Sequence, residues 1–484
     1  MVPDKAGHCM YRKLRTVAWV AGAFILVIAA GLGALYFAFM GTFKPAPPAP
    51  DYSKPTSALE AQRQDLDYFT RAMALDRSFS PAARAEAERR IAVLEHEPQV
   101  IPQQKLHVDL MQIAALADNG HTKVRAGIEG KTVLALPVGV ARFAEGFYVM
   151  WAKAPWRDML GGRVESIDGM PFPEVLQRLE RLRGGTEAYR RENAALYISV
   201  QDLLYGSGIA RRADRSDWTV RLPNGQRVSH TLVADPEKTL FAPDGLRWRS
   251  PDPVPELGRG WVSAAPRRAD LPLSERNMDA LFFRARVPGS CAMYVRLEAI
   301  ESRPGWALQP FLSATEAAMK AHPPCGVILD LRGDGGGNYT NMWHFTHALP
   351  QLIVPGGHIC LLTDPGTFSA AITTTAFTKD AGGARVTIIG EPVGDRLSFY
   401  AEGGSAVLPH SGFSLSYQTG KHDYAHPCRD WHDCYWVNWF YPVRVTTLAP
   451  AISVPARFSD WYAGRDPAFE DAVALATRSR TAQK

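Results

Sequence analysis

From Val17 to Met40 the chain runs without a charged residue (VAWVAGAFILVIAAGLGALYFAFM), and this stretch limits the possible folds more firmly than any other feature. A helix needs about 20 apolar residues to cross the hydrocarbon layer, whereas the core of a cleaved secretory signal runs only about 7–15. The sequence therefore predicts a retained transmembrane anchor over 17–40. Lys5, Arg12, Lys13 and Arg15 precede the segment, and only Lys44 follows closely. The positive-inside bias then predicts a cytoplasmic tail over 1–16 and a body on the far side of the membrane. A bacterial inner membrane with the body in the periplasm suits this layout. The Pro-rich run from Lys44 to Pro50, within a linker over 41–56, predicts a stiff spacer that holds the body off the bilayer.

The remaining chain is large enough for two or three domains. The net charge of +5 over 484 residues is too dilute for a nucleic-acid partner, and no long basic run concentrates it. Cys9 falls on the cytoplasmic side; Cys291, Cys325, Cys360, Cys428 and Cys434 fall outside, an odd set in which at least one thiol has no partner within the chain. Cys428 and Cys434 lie close together in a polar, aromatic loop and are the favoured disulfide. His422, His426 and His432 crowd the same loop, but the spacing matches no paired-cysteine zinc motif, so no metal is expected. The aromatic run Tyr435, Trp436, Trp439, Phe440 and Tyr441 reads as packing, with a cleft wall as the other option.

Helical signals fill 57–125. Ser80-Pro81 reads as an N-cap followed by proline at the first helical position, and a second amphipathic stretch stops at Asp118-Asn119-Gly120. From 131 to 235 the pattern turns to short strands around one helix, FPEVLQRLERLR, with a hairpin turning at Asn224-Gly225. A module of that composition suits a PDZ-like domain. Residues 236–274 read as connecting loops. Over 280–475 strands such as CAMYVRLEAI, GVILDLRG, HICLLTD and RVTIIGE alternate with helices, which predicts an α/β core with a largely parallel sheet covered on both faces.

Three short stretches carry chemistry. In Asp330-Leu331-Arg332-Gly333-Asp334-Gly335-Gly336-Gly337-Asn338 a strand ends in glycines whose backbone N–H groups suit a developing oxyanion, although a tight turn needs the same residues. In Gly366-Thr367-Phe368-Ser369-Ala370-Ala371 a serine stands at a helix N-terminus, a place for a nucleophile and equally for an ordinary cap. The third is His121, just past the end of the N-terminal helices.

Together these stretches resemble the C-terminal-processing, or tail-specific, family of serine proteases, in particular its branch related to the tricorn protease core and the retinol-binding-protein-like members. Asp118-Asn119-Gly120-His121-Thr122 is similar to that branch's D-G-H-T, LDLRGDGGGN to its D-x-R-x-N-x-G-G-N, and GTFSAA to its T-x-S-A-A. GEPVGDRLSFYAEGG and APAISVPARFSDWYAGRDPAFEDAV resemble two further segments, in the same order. The resemblance implies a catalytic core with the parallel sheet and helices of the ClpP and crotonase type. It implies Ser369 as nucleophile, His121 as general base, and the N–H groups of Gly336 and Ala370 as the oxyanion hole. A polypeptide substrate and no cofactor are expected. The family's alternative lysine base is missing, because Gly394-Asp395-Arg396 stands in its place and arginine is too basic to accept a hydroxyl proton. The glutamate that orients the histidine in the tricorn-like branch is missing too, which leaves Glu402, Asp430 and Asp433 as open candidates. The rival reading is a peptidase-fold protein without useful catalysis that binds a protein or lipophilic ligand.

Overall fold

The computed structural model describes residues 5–126, 134–235, 249–251 and 260–478. Helix α1 (Lys5–Phe43) contains the apolar segment, and Ala23–Phe43 is long and apolar enough to cross a membrane. Its last turn does not lead into a free spacer. Phe43 is fully buried in the body, Tyr417 Oη donates to the carbonyl of Pro45 at 2.6 Å, and Arg71 Nη2 donates to that of Ala49 at 2.9 Å. The Pro-rich run is therefore not a free spacer: its extended backbone offers carbonyls, and donors on the body take them up.

Helices α2 (Ala58–Met73), α3 (Pro81–Glu95) and α4 (Gln103–Ala115) follow. Ser57 and Ser80 cap the first two, each accepting a backbone N–H three residues on, at 3.1 Å and 3.2 Å. Asp118, at φ 49°, turns the chain out of the helical region into the short strand β1 (Lys123–Arg125).

The second sheet is antiparallel. Its strands are β2 (Val138–Phe143), β3 (Gly146–Lys153), β4 (Arg163–Ile167) and β5 (Met170–Pro171). Helices α5 (Phe172–Glu180), α6 (Glu187–Tyr197) and α7 (Gln201–Gly206) come next, then the hairpin of β6 (Arg215–Arg221) and β7 (Arg227–Val233). The hairpin turns at Asn224-Gly225, where Gly225 takes φ 87°. Part of the stretch read as loops lies outside the described residues. Within its described remainder, β8 (Trp261–Ser263) adds to β3, a strand that the Pro- and Arg-rich composition concealed. One face of this sheet shares a core with α2–α4, and the opposite face of β2 and β3 buries Trp151 and Phe143 against Phe458 and Trp461.

The third layer holds α8 (Leu273–Arg276), β9 (Phe282–Arg286), β10 (Met293–Leu297), α9 (Leu308–Ala321), β11 (Gly326–Asp330), α10 (Trp343–Leu352), β12 (His358–Thr363), α11 (Ala370–Gly382) and β13 (Val386–Gly390). Beyond it come β14 (Ser398–Ala401), β15 (Gly404–Val407), β16 (Ser414–Tyr417), β17 (Gly420–Asp423), β18 (Ile452–Ser453), α12 (Phe458–Tyr462) and α13 (Pro467–Thr477). The main sheet has the order β18-β13-β12-β11-β10-β9, parallel throughout except for the antiparallel edge β9. Alternate residues serve opposite faces. Val327, Leu329, Ile359 and Leu361 pack with Leu312, Phe345 and Phe377 of α9–α11, whereas Ile328, Cys360 and Leu362 pack with Phe469 and Ala472 of α13. Burial on both faces explains why these strands read as continuous apolar runs.

Two smaller pairings close the site. Strand β1 joins β16 of the three-stranded sheet β1-β16-β15, and β14 pairs with β17. The first ties the chain next to His121 to the C-terminal half, across about 290 residues of sequence.

Candidate active site

Strand β12 ends at Thr363, and the loop to α11 is held from below by one buried carboxylate. Asp364 Oδ1 accepts the N–H groups of Gly333 at 2.9 Å and Thr367 at 3.0 Å, while Thr367 Oγ1 donates to Leu331 O at 2.8 Å. Burial, reinforced by the charge of Glu192, pushes the Asp364 carboxyl up to about 6. This scaffold forces Ser369 into φ 56°, ψ −121°, a region that costs a non-glycine residue about 1–3 kcal/mol and gathers at functional sites. Ser369 makes no side-chain capping bond, so its hydroxyl is not spent on the helix it precedes.

The glycine turn lies against that serine. A Cβ on Gly336 would fall 2.6 Å from Ser369 Cβ and 2.9 Å from Ala370 N, which puts Gly336, Ser369 and the first amide of α11 in one cluster. Gly336 N–H donates to Asp334 Oδ1 at 2.8 Å, so an oxyanion would first have to draw it away from that carboxylate.

His121 arrives from the other side. Its turn is clamped at several points: Asp118 receives Arg396 Nη2 at 2.7 Å, and Thr122 Oγ1 donates to buried Asp76 at 2.7 Å. Gln418 Nε2 donates to the carbonyl of His121 at 3.0 Å. Gly120 is required here, because a Cβ would meet Phe368 Cε2 at 2.7 Å. The imidazole then lies tilted 4.3 Å from the ring of Phe368, the neighbour of Ser369, and stacks 5.4 Å from Phe399. Both ring nitrogens are buried and without a hydrogen bond. Burial, with smaller contributions from the charges of Lys123, His422 and Arg183, holds the ring well below the usual histidine range, hence neutral at pH 7. In this conformation His121 is beside the Ser369 loop but is not hydrogen-bonded to Ser369.

The three candidate acids lie elsewhere. Glu402 Oε1 faces His422 Nε2 at 3.6 Å and its Oε2 faces Lys44 Nζ at 3.5 Å; burial pushes the carboxyl up, but those partners outweigh it and hold it below the usual range. The ring of Phe399 stands between the two histidines, 5.1 Å from His422 and nearly parallel to it, so Glu402 serves His422 and not His121. Asp433 accepts Tyr400 Oη at 2.9 Å, and Asp430 accepts the N–H of His432 at 2.8 Å. A carboxyl that residue types alone did not single out is nearer to the His121 turn. Asp395 is buried, accepts Arg396 N–H at 2.8 Å and is pushed up to about 6 by burial, against the pull of Arg396 and of the Gly120 amide. The replaced lysine position thus clamps the histidine turn: Arg396 grips Asp118, and Asp395 sits under Gly120.

Cys428 and Cys434 are bonded, and a second disulfide joins Cys291 to Cys325; Cys360 is a buried free thiol. Among the described residues no group of three or more His, Cys, Asp or Glu could hold a metal ion. Asp330 and Arg332 of the glycine-turn motif do structural work. Arg332 Nη2 bonds Asp330 at 2.6 Å and Asp466, the N-cap of α13, at 2.9 Å.

No protein-family model and no curated protein matches the sequence. Solved structures do. Mature CPAF superposes with a TM-score of 0.55 at 13% identity, covering 84% of this chain and 95% of CPAF. Mature CPAF complexed with lactacystin gives 0.54 at 12% identity over 88% and 99%. The photosystem II D1 C-terminal processing protease also matches, covering 86% of this chain and 99% of its own at 13% identity, but its TM-score of 0.36 carries no argument. At such identities the likeness speaks for the fold alone, and the chain has the fold of mature CPAF.

Proposed function

We propose that the chain is a membrane-anchored serine peptidase whose body lies outside the cytoplasm. One observation carries the reading: Ser369 stands in a strained turn at the start of α11, against Gly336, with the His121 ring on the adjacent Phe368. Ser369 would attack a peptide carbonyl, and neutral His121 would take its proton and return it to the leaving amine. The Ala370 amide, in the first turn of the helix, would hold the oxyanion, joined by Gly336 once its N–H leaves Asp334. The described conformation is a resting one, since His121 must first leave its slot between Phe368 and Phe399. The antiparallel sheet of β2–β7 with α5–α7 would act as the PDZ-like module, taking a chain end as an added strand. Helix α1 would be the anchor, and the basic residues before it would keep the N-terminus in the cytoplasm.

The test is covalent labelling of the purified full-length chain by a fluorophosphonate, together with cleavage of an unstructured polypeptide. Both are expected for the wild type and both should vanish in Ser369→Ala. Equal labelling of the variant would remove Ser369 as nucleophile.

A second reading has its own observation. The ring nitrogens of His121 have no hydrogen-bond partner, and the candidate acid Glu402 faces His422. A peptidase fold retained for binding accommodates both facts. It is favoured if the wild type retains a peptide without turning it over and Ser369→Ala retains it equally well.

A further inference from the structure

The end of α1 is packed against a loop that has no part in the proposed chemistry. Phe39 lies 5.6 Å from Tyr435 and 5.9 Å from Trp436, and Phe43 lies 5.4 Å from each. Trp436 in turn touches Trp431 at 4.9 Å, and Trp431 touches Trp439 at 5.0 Å. The inner side of this cluster is buried, but its outer side is open: Trp431 is 57%, Trp439 39% and Phe440 77% exposed.

These side chains are held outward by the loop itself. The Cys428–Cys434 disulfide closes it, Trp436 Nε1 donates to Trp431 O at 2.8 Å, and Trp439 Nε1 donates to Cys428 O at 3.0 Å. Exposed aromatic surface of this kind, fixed in place, marks an interaction site. Beside it a cavity of about 840 Å³ is lined by Trp439, Tyr441, Arg429, Arg444, Asp380 and Asp423. The wall therefore mixes aromatic surface with both signs of charge.

Depth identifies the occupant. A helix rises about 1.5 Å per residue and the hydrocarbon layer is about 30 Å thick, so about 20 residues cross it. An apolar segment that ends at Met40 brings Phe39 to the membrane–water boundary, and whatever touches Phe39 stands at that boundary too. Tryptophan and tyrosine are favoured there, where the ring meets acyl chain and the polar edge meets headgroups. Arginine is favoured at the same depth by lipid phosphates.

We infer that loop 428–441 is a second membrane contact, lying in the headgroup region of the same bilayer that α1 crosses. Trp431, Trp439 and Phe440 enter the boundary, and Arg429 and Arg444 face lipid phosphates. This rests on the anchor proposed above. Its consequence is that the body sits directly on the membrane and does not swing on a tether.

The experiment uses the full-length chain in nanodiscs of phosphatidylethanolamine and phosphatidylglycerol, with acyl chains brominated near the headgroup or left unmodified. Bromine quenches tryptophan only within near contact. In a Trp19→Phe protein, which lacks the indole inside α1, appreciable quenching is expected, and adding Trp431→Phe and Trp439→Phe should remove most of it. Both positions are exposed, so the variants should fold. If the added substitutions leave the quenching unchanged while Trp19 is quenched in the wild type, the anchor stands and the loop contact is overturned. If Trp19 itself is not quenched, the anchor fails and takes this inference with it.

Discussion

At the residue scale, Ser369 and its neighbours show how one loop holds a strained backbone. The turn holds a non-glycine residue at φ 56°, and Gly336 makes room for it. Gly336→Ala would place a methyl 2.6 Å from Ser369 Cβ and, at φ 105°, would strain the backbone as well. The expected outcome is a loss of about 2–4 kcal/mol in chemical denaturation and an almost complete loss of fluorophosphonate labelling. Ser369, His121, Gly336 and Ala370 were legible as residues because each sits in a short motif. Their mutual arrangement was not, since the ring of Phe368 that brings His121 to the serine's loop belongs to no polar pattern. The candidate acids could not be separated for a related reason: Glu402, Asp430 and Asp433 share the same chemistry, and only folded neighbours decide which group each one meets.

At the element scale, the motif arginine and the helix cap form one unit. Arg332 bridges the end of β11 to the N-cap of α13, with Asp330 and Asp466 both buried. Arg332→Ala removes the guanidinium that two buried carboxylates share, leaving them their neutral donors such as Tyr294 and Ser274, and a loss of about 3–5 kcal/mol is expected in urea unfolding. Helix α4 supplies a second case. The ring of His107 stacks on Phe413 at 4.6 Å, and burial pulls its pKa down to about 4. The unfolded chain takes up this proton near pH 6.5, whereas the folded chain resists it until about pH 4. The stabilisation is complete above about pH 6.5 and is lost as pH falls through that window, by on the order of 3 kcal/mol. His107→Phe should therefore flatten the fall in unfolding midpoint between pH 7 and pH 4.5. The parallel strands were legible as elements because burial on both faces leaves unbroken apolar runs. Strand β8 and the pairing of β1 with β16 were not, since three residues show no period and register is set by a distant partner.

At the scale of the whole molecule, the end of α1 and the body are one packed object. The last turn of α1 buries Phe43 against Tyr435 and Trp436, and Lys44 reaches Glu402. A chain beginning at residue 51 should therefore be less stable than one beginning at residue 39, by about 2–3 kcal/mol for the lost phenylalanine burial. The difference should appear as a lower melting temperature, and Phe43→Ala in the full chain should reproduce most of it.

The sequence alone determined the apolar span, the alternation of strand and helix in the core, and the serine, histidine and glycine motifs. Each of these is set by residues within a few positions of one another, where periodicity and local chemistry suffice. Only the tertiary structure decided that the Pro-rich run lies along the body, that Phe399 parts His121 from the His422–Glu402 pair, and that Gly336's amide is occupied at rest. Those outcomes depend on which surfaces meet across hundreds of residues, and packing in space selects them where sequence spacing cannot.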